Sequence, residues 1–411
     1  MNFSESLKYL FNLGNEVTAM KLGLENISKL LAALGTPQNN FLKIQVAGTN
    51  GKGSTCAFLD AICVSAGIKT GLYTSPHLVS ITERIKVGGQ EISEKDFARH
   101  ATEVKEISEK LVQTGELETV PTFFEQVTAI ALNTFAEAKI ELAILETGLG
   151  GRLDSVTATD AEIIGITPID YDHQEYLGES LTEIAGEKAG IIRFANQKVV
   201  VSKQHEEAEK IILNRCEKFG IEPKRTDFEL PDYKLGLAGK HQIENAKVAV
   251  LLAKTLQCYF SIKAENIIEG LQTATHKGRL EFYKGILFDG AHNPAGAKSL
   301  RDFLDEFIKQ PITMIFGVMK EKDLAGIADI IFPKAETLIL TKPDNPRSME
   351  TSELLKFVPE DFRNRVFETR TVAESIEKAR EISPKNNLIL VTGSLYLIGE
   401  AQKILKNESE I

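Results

Sequence analysis

Phe41-Leu42-Lys43-Ile44-Gln45-Val46-Ala47-Gly48-Thr49-Asn50-Gly51-Lys52-Gly53-Ser54 is the stretch on which the fold turns. Phe41 to Val46 reads as a strand, Ala47 to Ser54 as a glycine-rich loop, and Thr55 to Ala66 as a helix stopped by Gly67. A loop so placed aims backbone N–H groups and a helix N-terminus at an anion, and Lys52 stands where it reaches the outer phosphates of a nucleoside triphosphate. The competing reading is a plain glycine-rich turn, which leaves the joint arrival of Lys, Ser and Thr unexplained. The strict G-x-x-x-x-G-K-[ST] pattern is broken, because Gly53 follows Lys52. The hydroxyl normally found there binds Mg²⁺, so a metal here needs a ligand from another segment.

Working outward, turn signals and period changes give alternating strands and helices, which is the pattern of an α/β protein with largely parallel sheets. Upstream, Leu22, Leu24, Ile27, Leu30 and Leu31 fall at helical spacing before the stop Gly35-Thr36-Pro37. Downstream, Gly88-Gly89 reads as a two-residue hairpin turn and Ser93 as a helix N-cap. Apolar strands follow at Leu142 to Leu145 and Ile163 to Ile166, then a helix at Gln242 to Leu256. From Gly285 the rhythm changes, with strands at Ile286 to Phe288, Ile312 to Phe316, Leu338 to Leu340, Val366 to Phe367 and Leu388 to Val391. We place a boundary near residue 276, giving domains 1–275 and 276–411.

Sites in open α/β sheets gather at the carboxyl ends of strands. Ser75, Glu146 and His173 all lie there, and Mg²⁺ accepts a hydroxyl, a carboxylate, phosphates and water. Each also has an ordinary reading, as turn residue, strand-end carboxylate and capping histidine. Lys188 sits among small residues in a helix after Leu181, where chemistry alone favours a solvated lysine.

The 411 residues carry a formal net charge of -10, which disfavours general nucleic-acid binding. No apolar run is long enough to span a bilayer, and Met1 to Ser6 lacks the start of a secretion signal, so the expected location is the cytoplasm. Cys56, Cys63, Cys216 and Cys258 show no C-x-x-C spacing and read as reduced core residues.

Taken together, Gly48 to Ser54, Thr74-Ser75-Pro76-His77-Leu78, Phe123-Phe124-Glu125, Glu146-Thr147-Gly148-Leu149-Gly150-Gly151-Arg152-Leu153-Asp154, Asp172-His173, Glu187-Lys188-Ala189-Gly190, His241 to Ala246, Gly278-Arg279, Asp289 to Pro294 and Thr392-Gly393-Ser394 resemble one family. It is that of the folylpolyglutamate synthases and the bifunctional dihydrofolate synthases, within the Mur ligase superfamily. The resemblance implies a P-loop Mur-ligase-like ATPase domain with a parallel-rich sheet and a smaller C-terminal Rossmann-like domain. It implies an ATP-dependent ligase that adds L-glutamate to dihydropteroate or to the terminal glutamate of a reduced folate, through an acyl phosphate.

By the same resemblance, Gly51, Lys52, Gly53 and Ser54 hold the triphosphate, while Asn245, Arg279 and Asp289 hold ATP. Ser75, Glu146 and His173 match ligands of two magnesium ions, and Lys188 matches a lysine carbamylated in the family. Lys52, Glu146, His173 and Lys188 thereby carry the catalysis. Thr122, Phe124 and Asp154 match a pterin pocket, and His292 and Ser394 lie near the incoming glutamate. A monomer is implied, with small-molecule substrates and neither nucleic acid nor membrane as partner. The loop departs from the family after Asp154, with Ser155-Val156-Thr157 where a small residue, Thr and Asn are usual, which bears on pterin preference.

Two other readings remain. A cell-wall Mur ligase needs a nucleotide-sugar domain ahead of the loop, and only 47 residues precede Gly48. An ATP-driven switch protein would hydrolyse ATP without acceptor or amine.

Overall fold

The computed structural model describes residues 1–14 and 23–408. Leu22 lies outside them; Glu25–Ala33 forms the expected helix, burying Ile27, Leu30 and Leu31.

Eight strands form the first sheet: β1 (Leu42–Ala47), β2 (Thr70–Tyr73), β3 (Ile85–Val87), β4 (Gln90–Glu91), β5 (Leu142–Glu146), β6 (Ile163–Ile166), β7 (Lys198–Val201) and β8 (Lys224–Arg225). Their order is β4-β3-β2-β5-β1-β6-β7-β8, parallel except for the antiparallel β2–β3 and β3–β4 pairs. The Gly88-Gly89 hairpin is present, pairing Val87 with Gln90, and Ser93 caps the next helix by accepting from Asp96 N. β2 and β7 carried no expectation from the sequence.

β5 alternates its side chains between two cores. Leu142 and Ile144 join the helices Lys52–Ser65 and His241–Leu256 on one face, and Ala143 and Leu145 join the helix Phe123–Glu137 on the other. β1 is therefore buried centrally, and its carboxyl end opens between those of β5 and β6.

A second sheet holds β9 (Glu281–Tyr283), β10 (Ile286–Asp289), β11 (Ile312–Phe316), β12 (Thr337–Leu340), β13 (Val366–Glu368) and β14 (Leu388–Thr392). The order is β13-β12-β11-β14-β10-β9, with only β9 antiparallel to its neighbour. Leu287, Met314 and Phe316 face the helices Pro294–Phe307 and Leu324–Ile331, while Phe288 and Ile315 face Val372–Ile382 and Leu395–Asn407.

Two expectations need correction. The helix after the glycine loop begins at Lys52, three residues before Thr55, because Gly51 takes a left-handed φ of 87° and turns the chain straight into it. Cys56, Cys63 and Cys216 are buried, but Cys258 is exposed. It lies just past the end of the helix His241–Leu256, in a turn where Sγ meets Lys198 Nζ at 2.8 Å. Among the described residues no helix is long and apolar enough to cross a membrane.

Candidate functional site

A cleft of about 800 Å³ opens between the two sheets, ample for a nucleotide beside a second small molecule. Every site residue named from the sequence lines it.

The floor is the loop between β1 and the helix Lys52–Ser65. Gly51 leaves no room for a Cβ, which would overlap the Asn245 amide and lie 2.8 Å from its Cγ. A Cβ on Gly53 would meet His276 Nε2 at 2.7 Å and Glu146 Oε1 at 3.4 Å. Both glycines therefore let other segments close on the loop backbone. Lys52 folds over it, donating to the carbonyls of Gly48 at 3.2 Å and Thr49 at 3.1 Å. Burial lowers its pKa, the more so for Arg279 and Lys322, although Glu146 and Asp172 oppose this. Among the described residues no carboxylate lies within ion-pair distance of Lys52 Nζ. Such a cation is set to receive an anion.

Glu146 ends β5 and is buried, which raises its carboxyl pKa; Oε2 accepts from Ser75 N at 3.0 Å. Lys188 projects from the helix Leu181–Ala189 and donates to Gly48 O at 2.8 Å. Burial, then the charge of Lys52, pushes its pKa down to about 7. The reading of Lys188 as a solvated lysine is thus excluded by its burial. No three His, Cys, Asp or Glu side chains among the described residues group as a metal site. A cation beside Ser75 and Glu146 would therefore draw on phosphate and water, which suits Mg²⁺.

His173 occupies the N-cap position of a short helix with a left-handed φ of 52° and makes no side-chain cap bond. Its Nε2 instead accepts from Lys322 Nζ at 3.3 Å. Burial lowers its pKa to about 3, so it is neutral. Lys322 also pairs with Asp172 Oδ1 at 2.6 Å, each side chain only 8% exposed. Burial alone would raise the Asp172 carboxyl, yet His292, with Nε2 3.6 Å from Oδ2, and Lys322 hold it well below the usual range. Asn293 bridges the same gap, donating to Asp172 Oδ2 at 3.1 Å and to Asn50 Oδ1 at 3.2 Å.

Lys322, Asn293 and His276 carried no expectation from the sequence. Lys322 follows β11, so the strand-end rule that found Glu146 reaches its neighbourhood, but nothing local links it to Asp172, 150 residues away.

The remaining wall holds Phe124, whose ring leaves no space for a Cβ on Gly148. Thr122 caps the helix Phe123–Glu137 and is bound by Glu125 Oε2 at 2.9 Å. Asp154 accepts from Leu149 N at 2.9 Å and Val156 N at 3.0 Å, and burial raises its pKa to about 6. The departure Ser155-Val156-Thr157 turns inward. Ser155 Oγ bonds Thr128 Oγ1 at 2.7 Å, Val156 enters the core, and Thr157 donates to Gly151 O at 2.7 Å. Across the cleft, Asp289 accepts from Leu280 N and Ala291 N, both at 3.0 Å, and burial raises its pKa to about 6. Ser394 caps the helix Leu395–Asn407.

Two family descriptions match the chain: the Mur ligase middle domain over residues 46–230, and the Mur ligase, glutamate ligase domain, over residues 278–395. The dihydrofolate synthase/folylpolyglutamate synthase of Bacillus subtilis is 33% identical, covering 94% of this chain and 96% of its own length. A probable bifunctional folylpolyglutamate synthase/dihydropteroate synthase of Haloferax volcanii is 32% identical over 98% of this chain, which spans only 50% of that protein. Escherichia coli FolC in complex with DHPP and ADP superposes with a TM-score of 0.87 at 28% identity, covering 100% of this chain and 99% of that one. The Yersinia pestis bifunctional folylpolyglutamate synthase/dihydrofolate synthase, complexed with AMPPNP and a Mn ion, gives 0.85 at 26% identity over 99% and 98%.

Proposed function

The chain belongs to the dihydrofolate synthase/folylpolyglutamate synthase family of ATP-dependent Mur ligases, and on that premise we propose how its cleft joins L-glutamate to a pterin-borne carboxylate. Its fold is the two-domain α/β Mur-ligase fold, which we divide near residue 276. ATP and a divalent metal are its cofactors. The observation that carries the proposal is the meeting at the loop of Lys52, partly buried, with the buried Glu146 and Lys188, none of them in an ion pair among the described residues.

The loop fits a triphosphate: Gly51 turns the chain straight into the N-terminus of the helix Lys52–Ser65, and Lys52 offers an ammonium that burial destabilises. Ser54 and the first turn of the helix Lys52–Ser65 add N–H donors at its positive end. Asn245, pressed against Gly51, binds ATP from beside the loop, and Arg279 and Asp289 bind it from the second sheet. Ser75 and Glu146, with His173 as a neutral imidazole, hold up to two magnesium ions. When bound, these ions neutralise phosphate charge.

Lys188 has a pKa of about 7, so near neutrality much of it is free amine. That amine adds to CO₂ with loss of a proton, giving a carbamate anion in place of a buried cation. Phe124 stacks on the pterin beside Thr122 and Asp154, while His292 and Ser394 orient the incoming glutamate.

In the first step the acceptor carboxylate attacks the γ-phosphorus in line, ADP departs, and an acyl phosphate forms. Lys52 and Arg279 stabilise the charge that develops on the phosphoryl oxygens. The glutamate amine then attacks the acyl carbon, phosphate leaves, and an amide remains. Cross-cleft contacts through Asp172 exclude the water that would hydrolyse the intermediate. The protein acts as a monomer on small molecules, in the cytoplasm.

The test is ADP release with Mg²⁺, ATP and L-glutamate, comparing dihydropteroate, a reduced folate and no acceptor. Release dependent on both acceptor and glutamate is expected. Release indifferent to both would overturn the ligase reading.

A further inference from the structure

Leu78 lies three residues after Ser75, yet its side chain leaves the first sheet and packs against the core of the second, beside Leu395 and Ile398. Leu78 sits between two glycines, its backbone against Gly399 and its side chain against Gly278. A Cβ on Gly399, inside the helix Leu395–Asn407, would overlap the Leu78 carbonyl oxygen and lie 2.7 Å from its carbon and 3.1 Å from Cα. On the other side, Gly278, at a φ of 69°, would bring a Cβ to 3.1 Å from Leu78 Cδ1 and 3.6 Å from Ile398 Cγ2.

The segment that carries Leu78 is stiff. Thr74 N donates to Arg84 O at 3.0 Å, Ser75 N to Glu146 Oε2 at 3.0 Å, and Leu78 N to Glu83 Oε2 at 2.8 Å. Lys277 spans the same junction, reaching Glu83 at 3.4 Å and Glu91 at 3.1 Å. Ser75 is thus tied by a short braced chain to Leu78, and Leu78 is pressed on Gly278, whose next residue is Arg279.

We propose that the seating of Leu78 between Gly278 and Gly399 is the positioning contact that sets Ser75 against Arg279 across the cleft, and so governs the binding of nucleotide with its cation. The proposal rests on the reading of Ser75 as a cation ligand and Arg279 as a nucleotide ligand. Leu78 touches neither substrate nor cofactor. Its effect passes through the spacing of the two walls.

Gly399→Ala separates this role from a merely structural one. Alanine is the better helix former, so if the helix alone mattered, the variant would melt no lower than wild type and bind nucleotide as well. If the contact matters, the added methyl pushes Leu78 out of its seat. The affinity for AMPPNP with Mg²⁺, read by calorimetry, should then fall about 10-fold, and ADP release about 10²-fold. Leu78→Ala, which removes the side chain from beside Gly278 and leaves the backbone contact at Gly399 without a clash, should weaken AMPPNP binding in the same direction, and Leu78→Met should restore it. Should Gly399→Ala melt early, this second pair decides. Wild-type AMPPNP affinity in Gly399→Ala, or equal affinities in Leu78→Ala and Leu78→Met, would overturn the contact. Failure of the wild type to couple ADP release to acceptor and glutamate would instead overturn the ligase reading and leave the AMPPNP comparison standing.

Discussion

The two walls of the cleft treat several of their polar groups in opposite ways, although Asp154 on the first accepts two backbone N–H groups much as Asp289 does on the second. On the first-sheet wall, among the described residues, Lys52 and Lys188 donate only to backbone carbonyls and Glu146 accepts only a backbone N–H. On the second-sheet wall the polar groups have dedicated partners: Asp289 takes two backbone N–H groups, Ser394 and Asn293 cap helices, and Lys322 pairs with Asp172. Uncompensated burial of charge is unfavourable. On the proposed reading, the first wall's penalty is recovered when phosphate and cation arrive. Asp289, Ser394, Asn293 and Lys322 are satisfied before a ligand arrives, Lys322 by reaching Asp172 across the cleft.

Lys52→Met should give the largest effect. It removes the cation proposed to meet the triphosphate, so ADP release should fall about 10³-fold, while the melting temperature should hold or rise because a partly buried charge with no ion pair is gone. A marked fall in melting temperature would place Lys52 with the satisfied wall.

The converse holds for Lys322→Ala. Leaving the Asp172 carboxylate buried without its lysine, with His292 and Asn293 still beside it, should lower stability by about 3 kcal/mol, seen in urea unfolding, and adding Asp172→Asn should recover most of it. Unchanged stability in the single variant would move Lys322 to the ligand-waiting class.

Lys188 gives a pH signature. Its amine is neutral above about pH 7, so carbamate-dependent turnover should decline about 10-fold per unit of acidification below that pH and recover with added bicarbonate. The stability sign follows from proton counting. Between about pH 7 and the higher pKa of the unfolded amine, the unfolded chain binds the extra proton, so stability rises with pH, and Lys188→Met should flatten that rise. A pH–stability slope unchanged in Lys188→Met would contradict the shift.

The smallest effect is expected at Ser394→Ala. Loss of its cap on the helix Leu395–Asn407 should cost about 1 kcal/mol in thermal unfolding. A change in the KM for glutamate beyond that would show that Ser394 also touches substrate.

This contrast also explains what the sequence could tell. The phosphate loop is legible because strand, glycines, lysine and helix are adjacent, and the chemistry is written in consecutive residues. The helix start was misplaced by three residues because the left-handed turn at Gly51 lets the helix begin inside the motif. Ser75, Glu146 and His173 could be picked out by strand ends, yet only Ser75 and Glu146 are directly bonded, while His173 leans on Lys322. The Asp172–Lys322 pair joins two domains at no fixed sequence spacing, so no periodicity marks it. Cys258 misled because a small apolar residue just past a buried helix reads like the helix itself. The Ser155-Val156-Thr157 departure borders the cleft through Ser155, while Val156 and Thr157 serve the loop's interior.

The central claim is that the first wall's unpaired charges serve to phosphorylate a carboxylate. The most direct measurement labels the acceptor carboxylate with ¹⁸O and follows the label by mass spectrometry through one turnover with ATP, Mg²⁺ and L-glutamate. The account predicts one labelled oxygen in the released phosphate, because the acyl C–O bond breaks when the amine attacks. Product formed with unlabelled phosphate would contradict it.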